Sequence, residues 1–153
     1  MDTISFREAR LDDVPELMRL IGQSDMSPDN SLTLERASDL VAGIAETGCH
    51  KIFVAELDGA IIGTFVLLAV QSLTHNGGRS CVIEDVVIQK DLQGQGLGRY
   101  MMNHAVDSAR ALGCSKMVLS SGKARTKAHT FYEGLGFEKD GYRFALNLTE
   151  EIQ

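Results

Sequence analysis

Ile4 and Phe6 alternate with polar neighbours and predict a short first strand over residues 4–10. Val14, Leu17, Met18 and Ile21 then recur at helical spacing. Asp13 stands before them as a cap, Pro15 sits in the first turn, Glu16 lies three residues after the cap, and the stripe stops near Gly22. A loop over residues 24–32, with Pro28, Asp29 and Asn30, separates this helix from a second one marked by Leu34, Ala37, Val41 and Ile44 and ending by Gly48.

The period then changes to two. Residues 51–57 and 60–71 flank Asp58-Gly59, a pair that supplies the positive φ angles of a tight hairpin turn. A second turn at Asn76-Gly77-Gly78 leads into a strand over residues 81–89. Leu97, Met101, Ala105, Ala109 and Leu112 mark a long helix closed by Gly113. Residues 116–119 form a short apolar strand, 126–135 a helix ending at Gly136, and Phe137 and residues 142–148 the last strands. No repeat, low-complexity tract or linker interrupts the series, so residues 1–153 read as one α+β domain, a mixed sheet with helices on both faces.

Composition narrows the class. A chain of 153 residues buries about two thirds of its unfolded surface as one domain, and 44% hydrophobic with 24% charged residues excludes disorder and fibrous folds. The apolar stretches at residues 60–70 and 81–88 are too short to span a bilayer, and the opening MDTISFREAR lacks the pattern of a secretory signal, so a cytoplasmic location and no membrane partner are expected. Cys49, Cys81 and Cys114 are odd in number and widely spaced, which suggests neither a disulfide framework nor a metal site. A net charge of −6 argues against a nucleic-acid partner, because phosphate contacts need a basic surface.

The candidate chemistry begins at Gln93-Gly94-Gln95-Gly96-Leu97-Gly98, placed between a strand and a helix. A helix start offers unpaired N–H groups and the positive end of a dipole, and glycines let phosphates approach without Cβ interference, so the loop suits an anion such as a pyrophosphate. A dinucleotide fingerprint fails because Met101 stands where a third glycine would follow Gly96 and Gly98, and a Walker loop fails at Met117 and Ala124 around Gly122-Lys123.

Gln93-x-x-Gly96-x-Gly98 resembles the [Gln/Arg]-x-x-Gly-x-[Gly/Ala] signature of the GNAT superfamily of acetyl-CoA-dependent N-acetyltransferases. Phe131-Tyr132-Glu133-Gly134-Leu135-Gly136-Phe137, about 35 residues on, resembles the family's later F-Y-x-x-x-G-F motif. The resemblance implies a mainly antiparallel mixed sheet of six to seven strands, acetyl-CoA as co-substrate and no metal. It also implies that Val86, Val87 and Ile88 lie along the pantetheine arm, and that Gln93, Gly94, Gln95, Gly96, Leu97, Gly98 and Arg99 lie about the pyrophosphate.

Acetyl transfer to an amine by direct attack, through a tetrahedral intermediate, needs a group to take the amine proton and another to protonate the departing thiolate. The resemblance makes Tyr132 the candidate acid, although on its own it reads as a core aromatic. Glu84 and Asp85 interrupt the apolar run of Val82, Ile83, Val86, Val87 and Ile88. Neighbours in a strand face opposite sides, and a carboxylate inside a buried strand is costly unless paired or functional. Glu84 is therefore the candidate base and Asp85 a positioning or substrate-binding residue, with an internal ion pair as the alternative for Asp85.

Lys123, Arg125 and Lys127 make the segment after the fifth strand locally basic, suited to an anionic group on the acceptor or a phosphate of the cofactor, with a solvated helix start as the alternative; Ser120 joins Lys123 and Arg125 as a candidate acceptor-binding residue, and His129 reads as a surface residue. The run Ile83-Glu84-Asp85-Val86-Val87-Ile88 resembles the members that acetylate glucosamine phosphate. Ser120-Ser121 departs from them, and Arg125-Thr126-Lys127-Ala128-His129 resembles members that take aminoalkylphosphonates or other small amines. Both acceptor classes stay open, as do a protein or peptide acceptor and a non-catalytic acetyl-CoA-binding module. A homodimer is in keeping with the family.

Overall fold

A computed structural model of the chain describes residues 3–26 and 30–149. The chain divides into two compact units, Met1–Leu119 and Ser120–Gln153. The first runs β1 (Ser5–Glu8), α1 (Val14–Gln23), α2 (Leu34–Glu46), β2 (His50–Leu57), β3 (Ala60–Gln71), β4 (Arg79–Ile88), α3 (Leu97–Ala111) and β5 (Lys116–Val118). The second contributes α4 (Thr126–Gly134). Pro28 and Asp29 of the expected inter-helix loop lie outside the described residues.

One five-stranded sheet has the order β1-β2-β3-β4-β5, antiparallel throughout except for the parallel pair β4 and β5. The hairpin forms where Asp58-Gly59 predicts it, with φ of 50° at Asp58 and 80° at Gly59. Period-two alternation along β2 builds two cores. Val54 packs with Leu17 and Leu20 of α1, Ile61 and Val87, with Val41 of α2 against the same cluster. Its neighbour Phe53 faces the other way, 6.1 Å from the ring of His104 on α3 and stacked on Phe65 at 5.0 Å. Helices therefore cover both faces. Leu20 and Val54 are fully buried, each contributing about 1.5–3 kcal/mol relative to exposure.

Asp13 precedes α1 as expected but makes no cap bond to that helix. Its carboxylate instead accepts the Arg10 N–H at 2.6 Å and both ends of the Arg7 guanidinium, at 2.7 and 2.9 Å. A short 3-10 turn, Leu11–Asp13, places it there, so it ties β1 to the chain's first reversal. Glu16 pairs with Arg19 at 2.8 Å.

The expected sheet of six to seven strands is corrected to five among the described residues. Neither Phe137 nor residues 142–148 form a strand. Tyr142, Phe144, Leu146 and Leu148 keep the alternation of one, yet a strand is completed only by a partner's N–H and C=O groups. Among the described residues the second unit offers no such ladder, α4 being its regular element.

Within that unit the F-Y-E-G-L-G-F run has a local meaning. Gly136 takes φ of 98°, its N–H returns to Glu133 O at 3.0 Å, and the Phe137 N–H returns to Tyr132 O at 3.1 Å. This left-handed helix exit sets the Phe137 ring edge-on to Tyr132 at 5.8 Å. Among the described residues no helix is long and apolar enough to cross a membrane.

Candidate active site

β4 is irregular at its two acids. Glu84 pairs with Val66 and Val87 with Thr64, so Asp85 and Val86 together oppose Phe65 alone. Asp85 adopts φ of 50°, the left-handed conformation of a β-bulge. Cys81 and Ile83 are buried, and unbroken alternation would put Asp85 on that same core side. The bulge turns it out instead. Glu84 and Asp85 are both exposed, which corrects the expectation of carboxylates inside a buried strand.

The parallel ladder to β5 ends at Val82 and Val118. β4 continues to Ile88, so among the described residues its last six, 83–88, have no strand partner along that edge. The Gln89 N–H points across the sheet to Ile62 O at 2.8 Å. Since successive N–H groups alternate in direction, those of Ile88 and Val86 point to the open edge. Val87 is turned into the α1 core.

The strand runs straight into the glycine loop. Gly94 and Gly96 take φ of 78° and 84°, and a Cβ on either would meet nothing within 4 Å, so the space above them is open. The first α3 ladder bond runs from the Tyr100 N–H to Gly96 O at 3.3 Å, which leaves earlier amides outside the helix's own ladder. Left-handed glycines beside a helix start make a concave nest of N–H groups, a fit for the pyrophosphate of acetyl-CoA. The two glutamines of the loop serve its shape. Gln93 donates its side-chain amide to Ile88 O at 3.0 Å, and Gln95 donates to Asp91 O at 3.2 Å. Leu97 and Gly98 open α3, followed by Arg99.

Tyr132, Ser120, Lys123 and Arg125 belong to the second unit. Tyr132 lies on α4 beside Phe131 at 5.3 Å. Burial pushes its hydroxyl above the ordinary tyrosine value, with the Arg125 charge pulling weakly the other way. The turn before α4 is closed by the Arg125 N–H on Gly122 O at 3.0 Å, and His129 Nε2 meets the same carbonyl at 2.8 Å. Ser121 Oγ is buried without a hydrogen-bond partner among the described residues.

The first unit thus gathers Glu84, Asp85, Val86, Ile88 and the loop on one strand, turn and helix start. Three features had no clear signal in the chain. They are the bulge at Asp85, the orphaned Ser121 hydroxyl, and the bonds from Arg19 and Gln23 of α1 to the turn after β4.

Residues 15–137 match the model of the Acetyltransferase (GNAT) family. Glucosamine 6-phosphate N-acetyltransferase of Trypanosoma brucei brucei is 30% identical over 139 residues, which cover 89% of this chain and 90% of that one. The solved glucosamine-6-phosphate N-acetyltransferase of Arabidopsis thaliana superposes with a TM-score of 0.81 at 24% identity, over 96% of this chain and 99% of that one. A Clostridium acetobutylicum structure with acetyl-CoA superposes at 0.78 with 18% identity, over 99% and 100%. A family match across both sequence motifs, on a fold whose open strand edge leads into a glycine-lined helix start, makes this chain a member of the GNAT acetyltransferase family and an acetyl-CoA-dependent N-acetyltransferase.

Proposed function

We propose that the chain transfers an acetyl group to the primary amine of a small amino-sugar phosphate, with residues 1–153 acting as one domain. The observation that carries the cofactor half is the continuity of the open edge of β4 with the loop at the start of α3. The acceptor half is supported by the 30% identity to a glucosamine 6-phosphate N-acetyltransferase and by Lys123 and Arg125 after β5.

In this reading the N–H groups of Val86 and Ile88 bind the pantetheine arm as a neighbouring strand would. The amides of the loop receive the pyrophosphate. Acetyl-CoA supplies the activated acetyl group as a thioester. Glu84, exposed beside the bulge, takes the proton of the acceptor ammonium, directly or through water, and Asp85 orients that acceptor. Tyr132, its pKa raised by burial, keeps its proton through neutral pH and gives it to the departing sulfur. Ser120, Lys123 and Arg125 recognise the acceptor phosphate.

Thiol release from acetyl-CoA, measured with glucosamine 6-phosphate, glucosamine, 2-aminoethylphosphonate and a peptide amine, tests this. Preferred turnover of glucosamine 6-phosphate is expected. Equal rates on glucosamine remove the phosphate from recognition, and turnover of the peptide or the phosphonate alone overturns the acceptor.

A further inference from the structure

A ligand with a strand-like arm and a pyrophosphate must meet the edge of β4 and the loop amides together, so the angle at which the chain leaves β4 decides whether both are reached. That exit is residues 89–93. Its internal bonds are Leu92 N–H to Gln89 O at 3.0 Å and Gln93 N–H to Lys90 O at 3.5 Å. With the Gln93 side chain on Ile88 O, they shape the turn, but they move with it. Beyond the Gln89 N–H on Ile62 O of β3, at 2.8 Å, what aims the turn comes from α1. Arg19 Nη2 donates to Ile61 O at 3.0 Å and to the side-chain oxygen of Gln89 at 3.3 Å, and the Lys90 N–H donates to the Gln23 side chain at 3.4 Å. Gln89 passes the constraint on, its amide nitrogen donating to the Asp91 carboxylate at 2.9 Å. The backbone oxygen of Asp91 in turn receives Gln95 of the loop.

This strut adds little to the fold. α1 is already held by Leu17 and Leu20 in the core, so the helix is seated without it. Its consequence falls on the loop. We propose that Arg19 and Gln89 are positioning residues for acetyl-CoA, setting the glycine loop relative to the open edge of β4; this rests on the reading that the loop receives the pyrophosphate.

Acetyl-CoA binding to the full chain, followed by calorimetry, needs no acceptor and tests it. Arg19→Met and Gln89→Met are each expected to weaken binding about three- to tenfold, the size of one net hydrogen bond. The double variant should be no weaker than either single one, because both break the same link. In kinetics with glucosamine 6-phosphate, KM for acetyl-CoA should rise with kcat within about twofold, and Arg19→Lys should recover part of the loss by restoring a donor toward Gln89. Wild-type affinity in both single variants, additive losses in the double variant, or a fall confined to kcat overturns the inference. A wild-type chain that itself fails to bind acetyl-CoA overturns instead the reading of the loop on which it rests. Should Arg19→Met lower the melting temperature markedly, Gln89→Glu, which keeps the acceptor for Arg19 but repels Asp91, decides the question by the same affinity measurement.

Discussion

Arg7 on β1 and Asp13 at the head of α1 are joined by two parallel bonds, Nη1 to Oδ2 at 2.7 Å and Nη2 to Oδ1 at 2.9 Å, while the same guanidinium reaches Glu56 of β2 at 2.8 Å. The Arg7 bond holds the Asp13 carboxyl below its ordinary value against the opposing effect of burial, and the Arg10 N–H adds to the lowering. A carboxylate with a depressed folded pKa contributes stability that is complete above its unfolded value and is lost as pH falls through the folded one. Denaturant midpoints should therefore decline below about pH 4. Asp13→Asn should flatten part of that decline and cost about 2 kcal/mol at neutral pH.

His104 gives a second pH dependence at milder acidity. Its ring stacks on Phe6 at 4.2 Å with planes 9° apart, and burial lowers its pKa while Asp107 weakly opposes. A histidine with a depressed folded pKa favours the fold while neutral, so its contribution is present above about pH 6.5 and is lost as pH falls through the folded value. His104→Phe should lessen the fall of melting temperature as pH drops below about 6.5.

Two glycines should fail in different ways. Gly96→Ala meets no neighbour within 4 Å but must hold φ of 84°, at a cost of about 1–2 kcal/mol, so the loop should distort and acetyl-CoA affinity fall in a folded protein. Gly63→Ala would place a Cβ 3.1 Å from Val87 O and 3.0 Å from Met101 Sδ, inside the sheet and against α3. It should lower stability by about 1–3 kcal/mol, read by thermal melting.

Kinetics of three variants test the proposed chemistry. Tyr132→Phe should lower kcat about a hundredfold with KM for acetyl-CoA little changed. Glu84→Gln should lower kcat/KM by a similar factor. Asp85→Asn should act mainly on the KM of the amine. An unchanged kcat in Tyr132→Phe would take the hydroxyl out of the reaction.

The chain announced its hairpin, helices and glycine loop because each depends on local periodicity or on a residue suited to positive φ, as at Asp58, Gly59, Gly94 and Gly96. Asp85 escaped that logic. A non-glycine bulge residue is set by the register of β3 against β4, which is a property of the pair and not of one strand. Tyr142, Phe144, Leu146 and Leu148 show the converse, since alternation marks a readiness to pair without naming a partner. Arg19 carries no signal of its role in the sequence, because its partners, Ile61 O and Gln89, lie 42 and 70 positions away.

The edge of β4 that β5 leaves uncovered is also a hazard. Bare N–H and C=O groups along a strand invite any extended chain to add itself, and in a concentrated solution that invitation leads to aggregation. The kink at Asp85 breaks the flat run an added strand would need, and the adjacent charges of Glu84 and Asp85 disfavour an apolar newcomer. A slender arm with few bonds to make can still dock there, whereas a full polypeptide strand finds its register interrupted. Neutralising both acids while keeping the fold should thus show first as lost solubility during expression, before any enzymatic assay is run.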